Sequence, residues 1–433
     1  MEPRLDPATI DRLLTGVEAA DAAYHDAWPG PPPTRQPVQV LYVPADRITD
    51  DLPTAYGAEA RRLLDTHVAD LDTFAAGFGI GEHLADQVRE RVAVKLGSEP
   101  IEDLRVDLED GYLGRSDDEE ARDTVTAATA VARWTRDGVA PPYVGLRVKA
   151  FTDGLARRSV ATLDRFVGTL LEQLGSLPDG FVITFPKVVA VEHVAAFVAV
   201  LDALERAYGL AVGRLRFEVQ IETTASVLGP DGRVALRDIR AAGDGRICGA
   251  HLGVYDYTAG LGLPPGQQRP QHAACDLVRH LMQVTFAGTE VRLSDGSTNV
   301  VPRDDTQAEL HRVWATHAAV VRHALAHGYV QGWDLHVSHL VSRYATVYAD
   351  LLDGMDDLLD RLARWYAPQS VAGGGAALLD EPATIRRLEA QVQRAVDAQA
   401  LDVEVAASRT GRSFAPRPAT LIHVPNGSFP GPG

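Results

Sequence analysis

The chain has 433 residues, 45% of them hydrophobic and 23% charged, which is a globular composition and excludes a disordered acidic protein. Its net charge of −17 argues against a nucleic-acid backbone or an anionic membrane surface as main partner, since both are recognised through clustered cations. The start, Met1-Glu2-Pro3-Arg4-Leu5-Asp6, lacks the apolar segment of a secretory signal, and no run approaches the roughly 18 apolar residues of a membrane span, so a cytoplasmic location is expected.

Residues 1–36 read as a helical preface: apolar residues at helical spacing over Ala8–Trp28 run into Pro29-Gly30-Pro31-Pro32-Pro33, which no helix survives. The segment 37–366 then alternates short β-rich runs with long amphipathic stretches. The runs are Val38–Val43, Leu104–Glu109, Tyr143–Val148, Phe181–Phe185, Arg216–Ile221, Ile247–Leu252, Thr298–Val301 and Trp333–Val337. Between the first two, helices are expected at Ala58–Gly77 and His83–Leu96. Later helical patterns cover Asp118–Thr135, Ser159–Leu174, Val191–Tyr208, Val234–Ala242, His272–Phe286, Gln307–His327 and His339–Trp365. The last part, 367–433, holds the break Ala372-Gly373-Gly374-Gly375-Ala376, a polar helix over Pro382–Ala400 and a Pro/Gly-rich tail, expected to lie on the barrel or on a neighbouring subunit.

Eight strands alternating with helices predict parallel β-α units, and right-handed crossovers close eight of them into a (β/α)8 TIM barrel of the α/β class, with helical extensions at both ends. The competing fold, a doubly wound open sheet, usually carries a GxGxxG turn after its first strand; Val43-Pro44-Ala45-Asp46 stands there instead.

In a barrel, chemistry collects at the C-terminal strand ends. Those ends carry Asp107-Leu108-Glu109-Asp110-Gly111, Arg147-Val148-Lys149, Pro186-Lys187, Glu222-Thr223-Thr224, Tyr255-Asp256-Tyr257, Asn299 and His336. The steps from Asp107 to Arg147, Lys187, Glu222 and Asp256 are 40, 40, 35 and 34 residues, each one β-α unit, so all five return to one rim. Clustered carboxylates repel unless they are protonated or bridged by a cation, and Mg²⁺ prefers carboxylate oxygens, which makes Glu222 and Asp256 the natural metal pair. The competing reading is acids that cap helix N-termini. Arg147, between apolar residues in a buried strand, needs an anion: a substrate carboxylate, or a structural partner in Asp107 or Glu109.

Only three lysines occur, Lys95, Lys149 and Lys187, so arginine supplies nearly all the positive charge and each lysine invites a question. Lys149 and Lys187 suit either Schiff-base chemistry or, as the better reading, electrostatic support of the acidic cluster. His336 reads as a hydrogen-bonding wall residue, and Cys248 and Cys275 as packing residues outside any disulfide framework.

At these residues the chain resembles the HpcH/HpaI aldolase and citrate lyase β-subunit family, part of the phosphoenolpyruvate/pyruvate-binding barrels. The matching pieces are Leu41-Tyr42-Val43-Pro44, Asp107-Leu108-Glu109-Asp110, Arg147, Pro186-Lys187-Val188, Ile221-Glu222-Thr223 and Gly253-Val254-Tyr255-Asp256-Tyr257, in the same order, over about residues 38–350. The resemblance implies a carbon–carbon lyase using Mg²⁺, with Mn²⁺ as the substitute, held by Glu222 and Asp256. It implies that Arg147 and the metal bind a small anionic 2-oxo or hydroxy acid, free or as a CoA thioester, and stabilise its enolate. Asp107, Glu109 and Lys187 then complete the catalytic set with Arg147, while Lys149, Tyr255 and His336 join it against the substrate. Homo-oligomers are usual in the family. The chain departs from it at Arg147-Val148-Lys149, where lyases commonly have Arg-x-Asn, and at Tyr255, where they have an acid. Tyr255-Asp256-Tyr257 is similar to the Trp-Asp-Tyr stretch of malate synthases, so an acyl transferase condensing acetyl-CoA with a 2-oxo acid is the alternative, and a non-catalytic metabolite-binding barrel a further one.

Overall fold

The computed structural model describes residues 4–367 and 381–419. Eight parallel strands form one sheet: β1 (Gln39–Pro44), β2 (Asp103–Asp107), β3 (Tyr143–Arg147), β4 (Phe181–Phe185), β5 (Phe217–Ile221), β6 (Ile247–Leu252), β7 (Arg292–Ser294) and β8 (Gly332–Asp334). Neighbours follow chain order from β1 to β7, and β8 pairs with β1. A parallel bridge between Ser294 and Gln331, and an Asp295 N–H donated to the Gln331 carbonyl at 2.9 Å, bring β7 and β8 together. The result is a (β/α)8 barrel with helices outside.

The outward strand residues are apolar and join the helices in a continuous core. Leu104 and Val106 of β2, Leu146 of β3, Ile183 and Phe185 of β4 and Phe217, Val219 and Ile221 of β5 all belong to it. Phe185 stacks on Phe197 of the helix Val191–Tyr208 at 4.3 Å between ring centroids.

The inward residues are unusually polar. Tyr42 of β1 lies 3.3 Å from the Thr184 hydroxyl of β4, and Arg105 of β2 reaches Glu218 of β5 at 3.0 Å. Neither pair of strands is adjacent in the sheet, so these contacts cross the barrel interior. Asp103 and His251 complete the network on Arg105 and Glu218. Barrel interiors are more often filled by branched apolar side chains; here the charges survive burial because each guanidinium and carboxylate edge meets a partner.

Several elements differ from expectation. The seventh strand is Arg292–Ser294, not Thr298–Val301: pairing of Gly249 with Arg292 on β6 sets its place, and the β-branched run forms a loop whose Val300 carbonyl lies 3.0 Å from His339 Nε2. The eighth strand stops at Asp334, because the His336 ring accepts the Ser338 N–H at 3.1 Å and caps the next helix. Three expected helices are split. The preface breaks at Gly16, giving Pro7–Leu13 and Val17–Ala27. The stretch after β1 forms Leu52–His67 and Leu71–Phe78, with Asp70 capping the second. The helix after β8 ends at Leu352, and Gly354 in the left-handed region starts Met355–Tyr366.

The described part of the C-terminal segment packs on the barrel. Helices Pro382–Asp397 and Val403–Thr410 precede a stretch whose Pro418 carbonyl accepts the Arg35 N–H at 2.9 Å. The glycine-rich break at 372–376 and the tail from 420 lie outside the described residues. No helix among the described residues is long and apolar enough to cross a membrane.

Candidate active site at the acidic rim

Register places the first pair. Asp107 and Arg147 are Cα partners at the ends of β2 and β3. The Arg147 guanidinium donates to both Asp107 oxygens, Nε at 2.7 Å and Nη2 at 2.6 Å, the planar fork that matches a carboxylate. The rings of Tyr42 and Trp333 lie 5.1 and 5.3 Å from it and fix its plane. Its remaining nitrogen, Nη1, has longer contacts, 3.2 Å to Glu109 and 3.4 Å to Asp110. Burial opposes the charge, yet Asp107, Glu109 and Asp110 together hold the Arg147 pKa well above its ordinary value.

Asp107 also turns the chain that follows it. Its oxygens accept the N–H groups of Glu109 at 3.0 Å and Gly111 at 2.9 Å. A Cβ at Gly111 would stand 2.4 Å from Asp107 Oδ2, so the tight return requires glycine. The turn folds Glu109 and Asp110 over Arg147 and towards Lys187, whose Nζ donates to each at 2.6 Å and lies 3.3 Å from Asp256. Lys187 has φ of 48°, a left-handed conformation uncommon for a residue with a side chain, and its backbone N–H donates to Glu222 Oε1 at 2.7 Å.

The cluster is short of positive charge: among the described residues, Asp107, Glu109, Asp110, Glu222 and Asp256 face only Arg147 and Lys187. The carboxyl pKa values register this. Burial, with repulsion from Asp256 and Glu109, pushes Glu222 up to about 8, against the pull of Lys187. Burial and the contact with Asp110 raise Glu109 to about 7, against Arg147 and Lys187. Lys187 itself is raised, since its carboxylate partners outweigh its burial, so the ammonium stays charged and a Schiff-base role is disfavoured.

A divalent cation fits this donor set. Hard carboxylate oxygens are present, the buried Glu222 carboxylate is under-compensated, and its cradle is kept clear by a glycine: a Cβ at Gly253 would lie 2.2 Å from Glu222 Cβ and 2.3 Å from Oε2. Among the described residues, the two groups of three His or Asp side chains whose ligand atoms lie within 4.8 Å of one another are away from the rim and otherwise engaged. His317 spends its ring nitrogens on Ser342 and Asp334 at 2.7 and 2.9 Å, with His339 stacked on it. Asp276 Oδ1, beside His323 and His327, already meets Arg279 at 2.7 Å.

The rim therefore brings together Asp107, Glu109, Arg147, Lys187, Glu222 and Asp256. The other three residues expected to bind substrate make contacts of their own around it. Lys149 turns away, its ammonium donating to the Leu108 carbonyl at 2.6 Å and meeting buried Glu120 at 3.2 Å. The Tyr255 hydroxyl accepts the Asn299 N–H at 2.8 Å and holds the 298–301 loop. His336 caps its helix and lines a neighbouring cavity of about 270 Å³ with Tyr42, Arg47 and Tyr56. Sequence reasoning missed Tyr42 and Trp333 as the platform under Arg147; period-two alternation along β1 was the available signal for Tyr42.

Fold and rim together define the class: a (β/α)8 barrel protein with a polar, arginine-bearing acidic site at the C-terminal strand ends. Over residues 17–416 the chain matches the family model described as Domain of unknown function (DUF6986), and it belongs to that family. No curated protein matches it. Solved structures of Haloferax volcanii malate synthase are similar at low identity. The magnesium/glyoxylate complex is 15% identical, covering 87% of this chain and 97% of that one, with a TM-score of 0.48. The native form at 3mM glyoxylate is 16% identical, covering 87% and 96%, with a TM-score of 0.46.

Proposed function

We propose that the chain is a Mg²⁺- or Mn²⁺-dependent enzyme that makes or breaks a carbon–carbon bond next to the carbonyl of a small 2-oxo or hydroxy acid. The observation that carries this reading is the buried, under-compensated Glu222 carboxylate facing Asp256 beside a guanidinium fixed by Asp107, Tyr42 and Trp333. Glu222 and Asp256 would hold the cation. Bound there, a divalent ion supplies positive charge to the enolate oxygen that develops as the bond changes.

The protein's own groups divide the remaining work. Asp107 occupies two of the Arg147 nitrogens and aims the third, Nη1, at the loop acids, where a substrate carboxylate can replace the longer contact to half-exposed Asp110. Glu109, with its pKa near 7, exchanges a proton at neutral pH and is suited to general acid–base transfer. Lys187 balances the acids it bridges.

A condensing reading, in which an acyl-CoA is joined to the 2-oxo acid, is favoured by one further feature. The 270 Å³ cavity lined by Tyr42, Arg47, Tyr56 and His336 lies beside the Arg147 platform and offers space for the acyl end of a second substrate, the rest of which would extend into solvent.

Full-length protein should bind Mn²⁺, and Glu222→Gln with Asp256→Asn should weaken that binding at least tenfold and abolish turnover of a 2-oxo acid panel. Unchanged metal binding in both variants would refute the proposed site. Cleavage of an added 2-oxo or hydroxy acid without CoA indicates a lyase, and glyoxylate-dependent release of CoA from acetyl-CoA indicates the condensing enzyme. Metal binding without any turnover would replace both with a metabolite-binding barrel.

A further inference from the structure

The N-terminal mouth of the barrel, opposite the acidic rim, contains a cavity of about 690 Å³. Its walls are the first residues of the strands, and the Pro32–Thr34 segment and Ala419 lie against it. The volume falls within the usual range for small-molecule sites, roughly 300–1,000 Å³.

Three of its arginines have no carboxylate in ion-pair range among the described residues. Arg214 donates to the backbone carbonyls of Leu177 and Pro178 at 3.0 and 2.7 Å. Arg292 donates to the Tyr143 hydroxyl at 3.0 Å and to Thr34 Oγ1. The Arg216 side chain makes no hydrogen bond or ion pair among the described residues, although it lines the cavity. The acids nearby are committed elsewhere: Asp103 and Glu218 to Arg105, and Glu290 to Arg240 at 2.7 Å. Asp179, exposed at the lip, stays beyond ion-pair range of all three.

A second, independent feature stands at the inner end. His251 is 1% exposed; its Nε2 lies 2.7 Å from Glu218, while Nδ1 is buried with no hydrogen-bond partner. A buried polar nitrogen without a partner is uncommon in folded proteins, and this one belongs to a residue that lines the cavity. Glu290 acts on Arg216, and Asp179 on Arg214, only at longer range. Guanidiniums gathered in a concave site without a carboxylate in ion-pair contact, within a chain of net charge −17, point to an anion site.

We propose that this cavity binds a small polyanion, carboxylate or phosphate in chemistry, through Arg214, Arg216 and Arg292, with His251 as the hydrogen-bonding group at its inner end. This site is separate from the rim: it uses the opposite ends of the strands and none of the residues assigned to the metal or to Arg147.

The test is isothermal titration of the full chain, free of divalent metal and at low ionic strength, with two probes: inorganic pyrophosphate and tricarballylate. Neither is a 2-oxo or hydroxy acid, so neither is a substrate of the proposed rim chemistry. At least one probe should bind at a single saturable site with Kd below about 1 mM, equivalent to roughly −4 kcal/mol. Arg216→Ala and Arg292→Gln should each weaken it tenfold or more, while Arg147→Lys leaves it unchanged. Arg216→Ala removes no hydrogen bond and should melt like the parent, so its loss of binding is not a loss of fold. The relative affinity of the probes distinguishes phosphate from carboxylate recognition. No saturable binding by either probe, binding retained in both arginine variants, or binding lost in Arg147→Lys would overturn the proposal.

Discussion

Asp107 and Arg147 sit side by side in register on adjacent strands and are joined by two hydrogen bonds of 2.7 and 2.6 Å. The same carboxylate that orients the guanidinium also accepts two backbone N–H groups of the acidic turn. One residue thus positions both the proposed substrate cation and the acids around it.

Breaking that pair should therefore affect stability as well as chemistry. Arg147→Met leaves Asp107 buried without its partner, a loss expected to cost about 3–5 kcal/mol. Arg147→Lys keeps the charge but not the fork, and should cost less while still abolishing turnover. Urea unfolding of both variants checks the order; a loss below about 1 kcal/mol for Arg147→Met would show that the buried pair is not held as described.

Gly253 keeps the space beside Glu222 clear. A Cβ there would stand 2.3 Å from Glu222 Oε2, so Gly253→Ala must displace the carboxylate or the β6 end. The variant should lose about 1–3 kcal/mol from overpacking, and its Mn²⁺ affinity should fall at least tenfold. Parental affinity in calorimetry would mean that Glu222 is not a ligand.

Lys95, apart from the rim, is also a buried lysine. It is 1% exposed and bridges Glu99 and Glu102 at 2.6 Å each, while Glu102 accepts the Val38 N–H at the start of the barrel. Lys95→Met is expected to destabilise by about 3–5 kcal/mol, because buried Glu102 loses its contacting cation and keeps only the longer-range attraction of Arg35. Thermal and urea unfolding measure it, and a melting temperature equal to the parent's would contradict this.

Acid should destabilise the fold through the buried histidine pair. Burial first, and then neighbouring His317, hold the His339 pKa down at about 3, and burial lowers His317 as well. An unfolded histidine titrates near 6.5, so below that pH the unfolded chain takes up protons that the folded chain refuses. The histidine contribution is then complete above about pH 6.5 and declines as pH falls towards 3. Asp334 adds a loss of the same sign at lower pH: although burial opposes it, Arg343 and His317 lower its pKa. Glu222 and Glu109, raised to about 8 and about 7, act in the opposite sense over this range in both proteins, so the check is a difference. Melting curves from about pH 7.5 to 4.5 should show His339→Gln gaining stability relative to the parent as pH falls, and a constant difference would exclude His339 as a source.

The one-unit spacing of Asp107, Arg147, Lys187, Glu222 and Asp256 was legible because each β-α unit returns the chain to the same rim. Direction was not legible. Lys149 follows the strand-end rule as well as Lys187 does, yet its ammonium points to Glu120. Nothing local in Arg147-Val148-Lys149 says which face its side chains take once the strand has ended. Thr298–Val301 failed for a related reason: β-branched residues favour extended backbone, but pairing partners decide whether that backbone joins a sheet.

By itself the sequence determined the alternation of strands and helices, the barrel closure that follows from eight such units, and the set of charged residues at the rim. These are matters of period and order, which local sterics and the burial of apolar faces impose directly. Only the tertiary structure decided which charges meet: Arg147 on Asp107 over the Tyr42 and Trp333 rings, Lys187 among three acids, and three arginines left without carboxylates at the far mouth. Ion pairing depends on distances of a few ångströms between residues dozens of positions apart, and those distances exist only once the barrel has closed.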